Sequence, residues 1–548
     1  MPRDYKTMVS RKMEKGALAI FSLLFFCVYI WFGASTPPIF NSPDETANYF
    51  FISRLAEYGD FFAPEPLNFF LGNRIHPRSI SFNGFSLVPQ GFIGLPAAYG
   101  FFARIFSLGA IKFFTPFLAV AGALAFYGLI KKIFNRKTAF LSFLFLLLLP
   151  AYWYYSSRFL YPNAPFAALL TVAAWAAAAG ALGAGGKKTY MIILSISLAA
   201  ALAIRPVEIS WIAAGAAIAG AVYKKFISWR RVFCAAAIAA IIALPIFSSN
   251  LFLYGGILKS GYALKGEVVF GNSFFNGDFA DMKNYFLPYG LHPRAILTNV
   301  NNVFIKNLWW YSLPAALGAL LWFFGRPKKE ERVYFFISLA ASLWLLVFYG
   351  SGIFADNPNM VFTIGDSHFR YWLPLFIFWI PFVAHFWTFA AAKVKRGKII
   401  LIAALAAYGF FAGLAVFISP DDGLLLVKNN VRQNYQIKMA ALKTIGRDDV
   451  VITSRQDKIF FPERRVLYIK NMEDFKNSET LLAISRVAGR DFYYYGIGLQ
   501  ANEFFQLNET LKIYGFRMQR VRIFGKEVLY KLETVNSSIV SSFYCIIV

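Results

Sequence analysis

Two adjacent carboxylates, Asp44 and Glu45, stand in NSPDETANYF (41–50), directly after one of the most apolar runs of the chain. Desolvation beside lipid penalises charge and raises the proton affinity of a carboxylate. One such group can then take a proton from a hydroxyl while its neighbour binds a divalent cation or orients the molecule carrying that hydroxyl. Pro43 before them also suits a first helical turn, where two acids complement the positive end of the helix dipole. The second set of chemistry-bearing side chains is cationic: Arg158 in YSSRFLYPN (155–163), Arg205 in AIRPVE (203–208) and Arg370 in FRYWLPLF (369–376). A guanidinium at such a place can hold an anion or snorkel to headgroups, and Arg205 can simply pair with Glu208. His76, His292 and His368 could add ligands or hydrogen bonds, and Asp366 a further contact, whereas His385, inside an apolar run, reads as a packed histidine.

These residues need elements to bring them together, and composition says what kind. Of 548 residues, 58% are hydrophobic and 15% charged, against roughly half and a quarter in soluble domains. Mean hydropathy is +0.51. This is the composition of a membrane protein. The net charge of +26 does not point to nucleic acid, because the Lys and Arg gather in short clusters between apolar runs and no basic, aromatic-studded soluble module accompanies them. Cys27, Cys234 and Cys545 have neither metal-ligand nor redox spacing and read as small core residues.

Apolar windows recur near 17–36, 111–131, 138–155, 163–183, 189–204, 207–223, 231–249, 303–324, 332–350, 370–390 and 399–418, about eleven spans of membrane-crossing length. The first is too long for a signal-peptide core and lacks a cleavage site, so it reads as a membrane helix with its basic end inside. The linking segments KKIFNRK (131–137), GKK (186–188), KKFISWRR (224–231), RPKKEER (326–332) and KVKRGK (393–398) should all face the cytoplasm. A further apolar stretch, 84–106, would reverse every later loop if it crossed. It is therefore expected outside, as an interfacial helix interrupted by Pro89 and Pro96. Parity then puts the loops carrying Asp44, Glu45, His76, Arg158, Arg205, His292, His368 and Arg370 on one outer aqueous face.

The chain divides by composition into a membrane part, 1–419, with a long outward loop 37–110, and a charged remainder, 420–548. In the latter, apolar patches at 450–454, 464–470 and 516–533 alternate with helix-like stretches, the pattern of a soluble extracytoplasmic α/β domain. It is expected to be a lid or recognition module, or equally a structural cap. Asn508 and Asn536 lie in N-x-S/T sequons there.

Three pieces carry a resemblance: SPDETANYF (42–50) in the first outward loop, SSRFLYPNA (156–164) after the third span, and FRYWLPLF (369–376) at the start of a late helix. In that layout the chain resembles the GT-C glycosyltransferases, nearest to the dolichyl-phosphate-mannose protein mannosyltransferase and aminoarabinose transferase group. The layout extends over about residues 15–420, but the motifs are these three alone. The resemblance implies inverting transfer of a sugar from a polyprenyl-phosphate-linked donor to an acceptor protein, lipid or glycan on the outer face of the cell membrane. Asp44 would remove the acceptor hydroxyl proton, and Glu45 would hold the acceptor or a metal. Arg158, Asn163, Arg205, Arg370 and Tyr371, with His76 and His368, would bind substrate. Asn163 stands where related enzymes often carry a second acid; it can neither act as a base nor supply charge to a metal, which leaves a divalent cation as an open requirement. Two other classes compete: a transporter or flippase, which would show midplane charges and inverted repeats, and a non-catalytic polymer-assembly protein, which would tolerate loss of Asp44.

Overall fold

The computed structural model describes residues 3–182, 188–223, 229–264, 287–354, 362–487 and 489–535. Among them, eight helices are long and apolar enough to cross a membrane, from Lys12–Ser35 to Gly397–Ile418, or nine if a bent pair forms one span. The shorter apolar helices Lys188–Ile204 and Trp309–Phe324 occupy two more of the sequence windows. The outer surface is apolar too: along Trp229–Tyr254 the side chains of Phe233, Ile241 and Phe252 face away from the protein, as a helix solvated by lipid requires. The chain is a multi-pass membrane protein.

The helices approach closely where side chains are small. A Cβ on Gly318 would collide with Phe382 O, and one on Gly122 would lie 2.8 Å from the Ala168 backbone, which seats Trp309–Phe324 on Leu373–Ala392 and Ile111–Ile133 on Asn163–Leu182 by backbone proximity. The bent pair, Arg136–Leu148 and Pro150–Ser157, turns by 52°. Pro150 supplies no amide donor and forces Leu149 into extended backbone, ψ 120°. That kink carries Arg158 to the end of the second segment.

The loop from 37 to 110 is ordered. Helix Pro43–Tyr58 opens on Ser42, whose hydroxyl accepts the Asp44 amide at 3.2 Å, and closes on Gly59 at φ +81°. Strands β1 (Ala63–Pro64), β2 (Ile80–Phe82) and β3 (Ser86–Pro89) form an antiparallel sheet in the order β1-β3-β2. Helix Gly94–Ile105 follows. The stretch 84–106 is therefore half strand and half helix, not one irregular helix: Pro89 ends β3, and Pro96 sits in the first helical turn, where the missing amide costs nothing. At ~1.5 Å per residue this helix falls well short of a bilayer core.

Beyond 420, β4 (Val450–Thr453), β5 (Arg465–Tyr468), β6 (Phe492–Ile497), β7 (Phe516–Phe524) and β8 (Glu527–Thr534) form a sheet in the order β5-β4-β6-β8-β7, parallel across β5, β4 and β6 and antiparallel beyond. The apolar patches at 450–454, 464–470 and 516–533 correspond to β4, β5 and the β7–β8 hairpin. Strand β6 was not apparent in the sequence, because its run of tyrosines is buried on both faces and does not alternate.

This sheet joins the long loop directly. Ile75 bridges Leu467, Arg74 O accepts the Tyr468 amide at 3.3 Å, and Arg465 meets Glu65 at 3.1 Å. Phe51, Ile80 and Val88 of the loop share one core with Ile437, Phe460 and Leu529.

The cysteine expectation is corrected. Cys27 and Cys234 are exposed on membrane helices rather than packed in the core, since lipid solvates a small apolar thiol as readily as protein does. Asn508 is buried in helix Ala501–Ile513: its Oδ1 accepts the Met518 amide at 2.7 Å and its Nδ2 donates to Phe504 O, so its sequon is closed to modification. Asn536, Cys545, residues 186–187 of the GKK loop and 224–228 of the next basic segment lie outside the described residues.

Candidate active site

Asp44 sits at the second position of helix Pro43–Tyr58, where the dipole favours an anion. Its Oδ1 accepts the Ser79 hydroxyl at 2.6 Å and its Oδ2 accepts Arg370 Nη1 at 2.8 Å. The Asp44 side chain remains 40% exposed, against 13% for Arg370. Burial pushes the carboxyl up, but Arg370, the Ser79 hydroxyl and the charge of Arg78 outweigh it and hold the pKa below its ordinary 3.8. The carboxylate is thus already ionised at neutral pH, the opposite of the raised affinity expected from desolvation alone.

Ser79 reaches Asp44 from an unusual backbone. At φ +60° it occupies the left-handed region, just before β2, with its carbonyl accepting the Gln90 amide at 3.3 Å. Such a conformation in a non-glycine residue needs support from its surroundings, and here the sheet and the bond to Asp44 supply it.

Glu45, one residue on, faces another environment. Arg158 donates Nε to Oε1 at 2.8 Å and Nη2 to Oε2, while its Nη1 reaches Tyr154 OH at 2.8 Å. Both partners of this ion pair are 3% exposed. Phe32, Tyr154 and Tyr161 present ring faces to the guanidinium. Glu45 therefore ties helix Pro43–Tyr58 to the kinked pair that ends at Arg158, and both of its oxygens are engaged there.

Arg370 belongs to helix Ser367–Tyr371. Asp366 caps that helix by accepting the His368 amide at 2.8 Å and lies 2.7 Å from His368 Nδ1. His368 is buried among Phe354, Phe362 and Trp372. Asn163 donates to Arg370 O at 3.0 Å, and Ser367 Oγ accepts both Nε and Nη2 of Arg370. The guanidinium lies between the rings of Tyr161 and Tyr371, 5.3 and 5.1 Å away. His368, Asp366 and Asn163 accordingly fix Arg370 in place. Tyr371 stacks on Tyr349 at 4.7 Å and also faces Arg205 at 5.1 Å. Arg205 itself is held by Glu208 at 2.7 Å and by Tyr349 OH at 2.8 Å, while Trp211 takes the other Glu208 oxygen. His76 lies at the seam with the C-terminal sheet, its Nδ1 2.9 Å from Pro77 O and its ring beside Tyr468.

Several site residues were missed by sequence reasoning. Arg78 forms a fork on Asp457, 2.6 Å at its shortest, and its own amide donates to the same carboxylate at 2.7 Å. Lys458, next in sequence, reaches Asn41 O at 2.6 Å. Tyr262, in the short helix Gly261–Leu264, lies within electrostatic reach of Tyr371, Asp44, Arg370 and Arg205, and burial raises its phenol. As isolated letters in a charged tail or a loop these residues carry no periodic or motif signal; only docking of the C-terminal sheet selects Asp457 and Lys458.

The donor set around Asp44 does not fit a divalent cation. Both of its oxygens are engaged, Glu45 is saturated by Arg158, and the surrounding groups are guanidiniums, which repel a dication. Among the described residues, no three His, Cys, Asp or Glu side chains gather as a metal site. The set suits an anion beside an ionised carboxylate. A separate hollow of about 420 Å³ lies behind the Arg370 helix, lined by Trp309, Trp310, Ile364, Phe369, Phe411 and Ile418 among others. Its lining is mostly apolar, with Asn307 and Ser419 the polar exceptions, and neither Asp44 nor Arg370 lines it.

No protein-family model matches this chain, and no curated protein matches it in sequence. Solved structures do match in fold. ArnT from Cupriavidus metallidurans bound to undecaprenyl phosphate aligns over 94% of this chain and 98% of its own, with TM-score 0.60 and 10% identity. The archaeal oligosaccharyltransferase AglB from Archaeoglobus fulgidus, in complex with an inhibitory peptide and a dolichol-phosphate, aligns over 96% of this chain and 75% of its own, with TM-score 0.55 and 11% identity. Nearly the whole chain, C-terminal sheet included, is thus built on the GT-C-like fold of these membrane glycosyltransferases.

Proposed function

We propose that this protein is an inverting membrane glycosyltransferase that moves a sugar from a polyprenyl-phosphate-linked donor to an acceptor hydroxyl. The observation that carries the reading is the Asp44–Arg370 pair: an accessible, ionised carboxylate and a guanidinium brought together from positions 326 residues apart. Two solved proteins of the same fold hold a polyprenyl or dolichol phosphate, which fits a cationic site beside lipid.

In the step proposed, the acceptor oxygen bonds to the anomeric carbon as the bond from that carbon to the phosphate oxygen breaks. Asp44 takes the acceptor proton and the departing phosphate keeps the electron pair. A carboxylate held below the usual range is a weak base, so it acts late, when the acceptor oxygen has gained positive character against an oxocarbenium-like centre. Arg370, fixed by Ser367 and Asn163, stabilises charge developing on the phosphate. Glu45 and Arg158 hold the framework. The face bearing Asp44 is the outer one in this reading, because Lys131 and Lys132 lie at the opposite end of helix Ile111–Ile133 from the long loop.

Mass spectrometry of surface glycans in cells expressing the wild type or Asp44→Asn tests this. A glycan present with the wild type and lost with an equally abundant variant is expected; an unchanged glycan removes Asp44 from the mechanism. Cysteine labelling from outside should reach 37–83 and the residues after 419 but not 326–332, and the reverse pattern would invert the topology.

A further inference from the structure

The charged groups at the junction of the long loop and the C-terminal sheet do not balance one for one. Asp44 is paired with Arg370, Glu45 with Arg158 and Asp457 with Arg78. A fourth cation, Lys458, lies within electrostatic reach of Arg78, Asp457, Arg158 and Glu45, and among the described residues it forms no ion pair. Among the described residues its ammonium donates to Asn41 oxygens alone, at 2.6 Å to the carbonyl and 3.5 Å to the side chain. Asn41 lies three residues before Asp44. Burial is the first cause that brings Lys458 down to about 8, followed by the repulsion of Arg78, and only then the attraction of Asp457; Arg158 and Glu45 act on it too.

Lys458 is half-buried, and an ammonium partly withdrawn from water favours a compensating anion or a dense set of acceptors, which two oxygens of one asparagine do not make. The placement is also costly to build. Lys458 rides on helix Asp457–Phe460, which Asp457 anchors to Arg78 and to the Arg78 amide, one residue from the Ser79 that binds Asp44. The C-terminal region therefore presents to the loop that carries Asp44 a positive charge that forms no ion pair among the described residues.

We propose that Lys458 is an anion-binding residue of the active site, contributed by the C-terminal α/β region, and that its ligand is the phosphate of the lipid-linked donor. The C-terminal region is then a working part of the site and not only a cap over it. This inference rests on the donor class given under Proposed function. Lys458 would bind as a hydrated point charge, which a phosphate oxygen can satisfy from any direction.

The test measures binding of undecaprenyl phosphate and of uncharged undecaprenol to the full-length protein in lipid nanodiscs, for the wild type, Lys458→Met and Lys458→Arg. The wild type should prefer the phosphate. Lys458→Met should weaken phosphate binding by about tenfold or more while leaving undecaprenol binding unchanged, and Lys458→Arg should restore much of the loss. Unchanged undecaprenol binding shows the variant is folded. If Lys458→Met keeps the wild-type preference, or weakens both lipids equally, the assignment of Lys458 falls while the donor reading stands. If the wild type shows no preference for the phosphate, the donor reading itself falls and this one with it.

Discussion

Two neighbouring acids, each matched with an arginine from a distant helix, end in opposite circumstances. Asp44 and Arg370 meet at a surface that water reaches, the acid 40% exposed; Glu45 and Arg158 are sealed at 3% each. Nothing in the dipeptide foretells this, since each residue step along a helix rotates the side chain by about 100° and sends neighbours to different sides. The sealed pair uses both carboxylate oxygens, a phenol and three ring faces, so its charges are fully answered within the protein. The open pair leaves the Asp44 carboxylate, with one contact to each oxygen, partly exposed. A joint needs saturation and a site needs unused valence, and the same two residue types supply both.

The sharpest way to break that comparison is at the open acid. Asp44→Asn should lower turnover by about 10²- to 10⁴-fold while the unfolding temperature in detergent stays near that of the wild type. The sealed pair should respond the other way round. Arg158→Met strands a buried carboxylate and should cost roughly 3–5 kcal/mol of stability, read as lost abundance and a lower melting temperature. Adding Glu45→Gln to that variant should recover part of the loss, because the uncompensated charge is gone. A double variant no more stable than Arg158→Met would show that packing, not charge, makes the joint.

Arg370→Met should fall between the two. A partly exposed pair contributes only about 0–1 kcal/mol to stability, so folding should survive while turnover drops at least about tenfold. Lysine there should rescue little, since it cannot bridge Ser367 and Asp44 as a fork. The smallest effect concerns pH. The Asp44 carboxyl is depressed, so its ionised form, and the stabilisation that form brings, is present above the ordinary value and lost only as pH falls through the lower folded value. Turnover should stay flat from about pH 7 to pH 5 as far as this group is concerned. Ser79→Ala removes a donor to the carboxylate and should move the acid limb to higher pH; an unmoved limb would dissociate it from Asp44.

Much of the fold was legible because lipid imposes simple demands. Each of the eleven apolar windows is helical, including the kinked one around Pro150, since a segment in hydrocarbon must satisfy its own backbone. The strands at 450, 465 and 516 were legible from their patches. The ordered sheet inside the long loop was not: β1 to β3 have only two to four residues each, too few to show a period. Within the site, Asp44, Arg158, Arg205 and Arg370 stood out because charges at span ends are rare enough to notice. Arg78, Ser79, Asp457 and Lys458 lie among many polar residues, where one more carries no signal.

The sequence alone determined that the chain crosses a membrane many times, where its helices run, and which scarce ionisable groups lie at their ends. Those follow from local hydropathy, which depends on neighbours a few residues away. Only the tertiary structure decided which acid stays open and which is sealed, that Arg205 is spent on Glu208, and that a segment over 400 residues downstream sets Lys458 beside Asn41. Such assignments depend on which distant surfaces pack together, and a charge has no function until its partner is fixed in space.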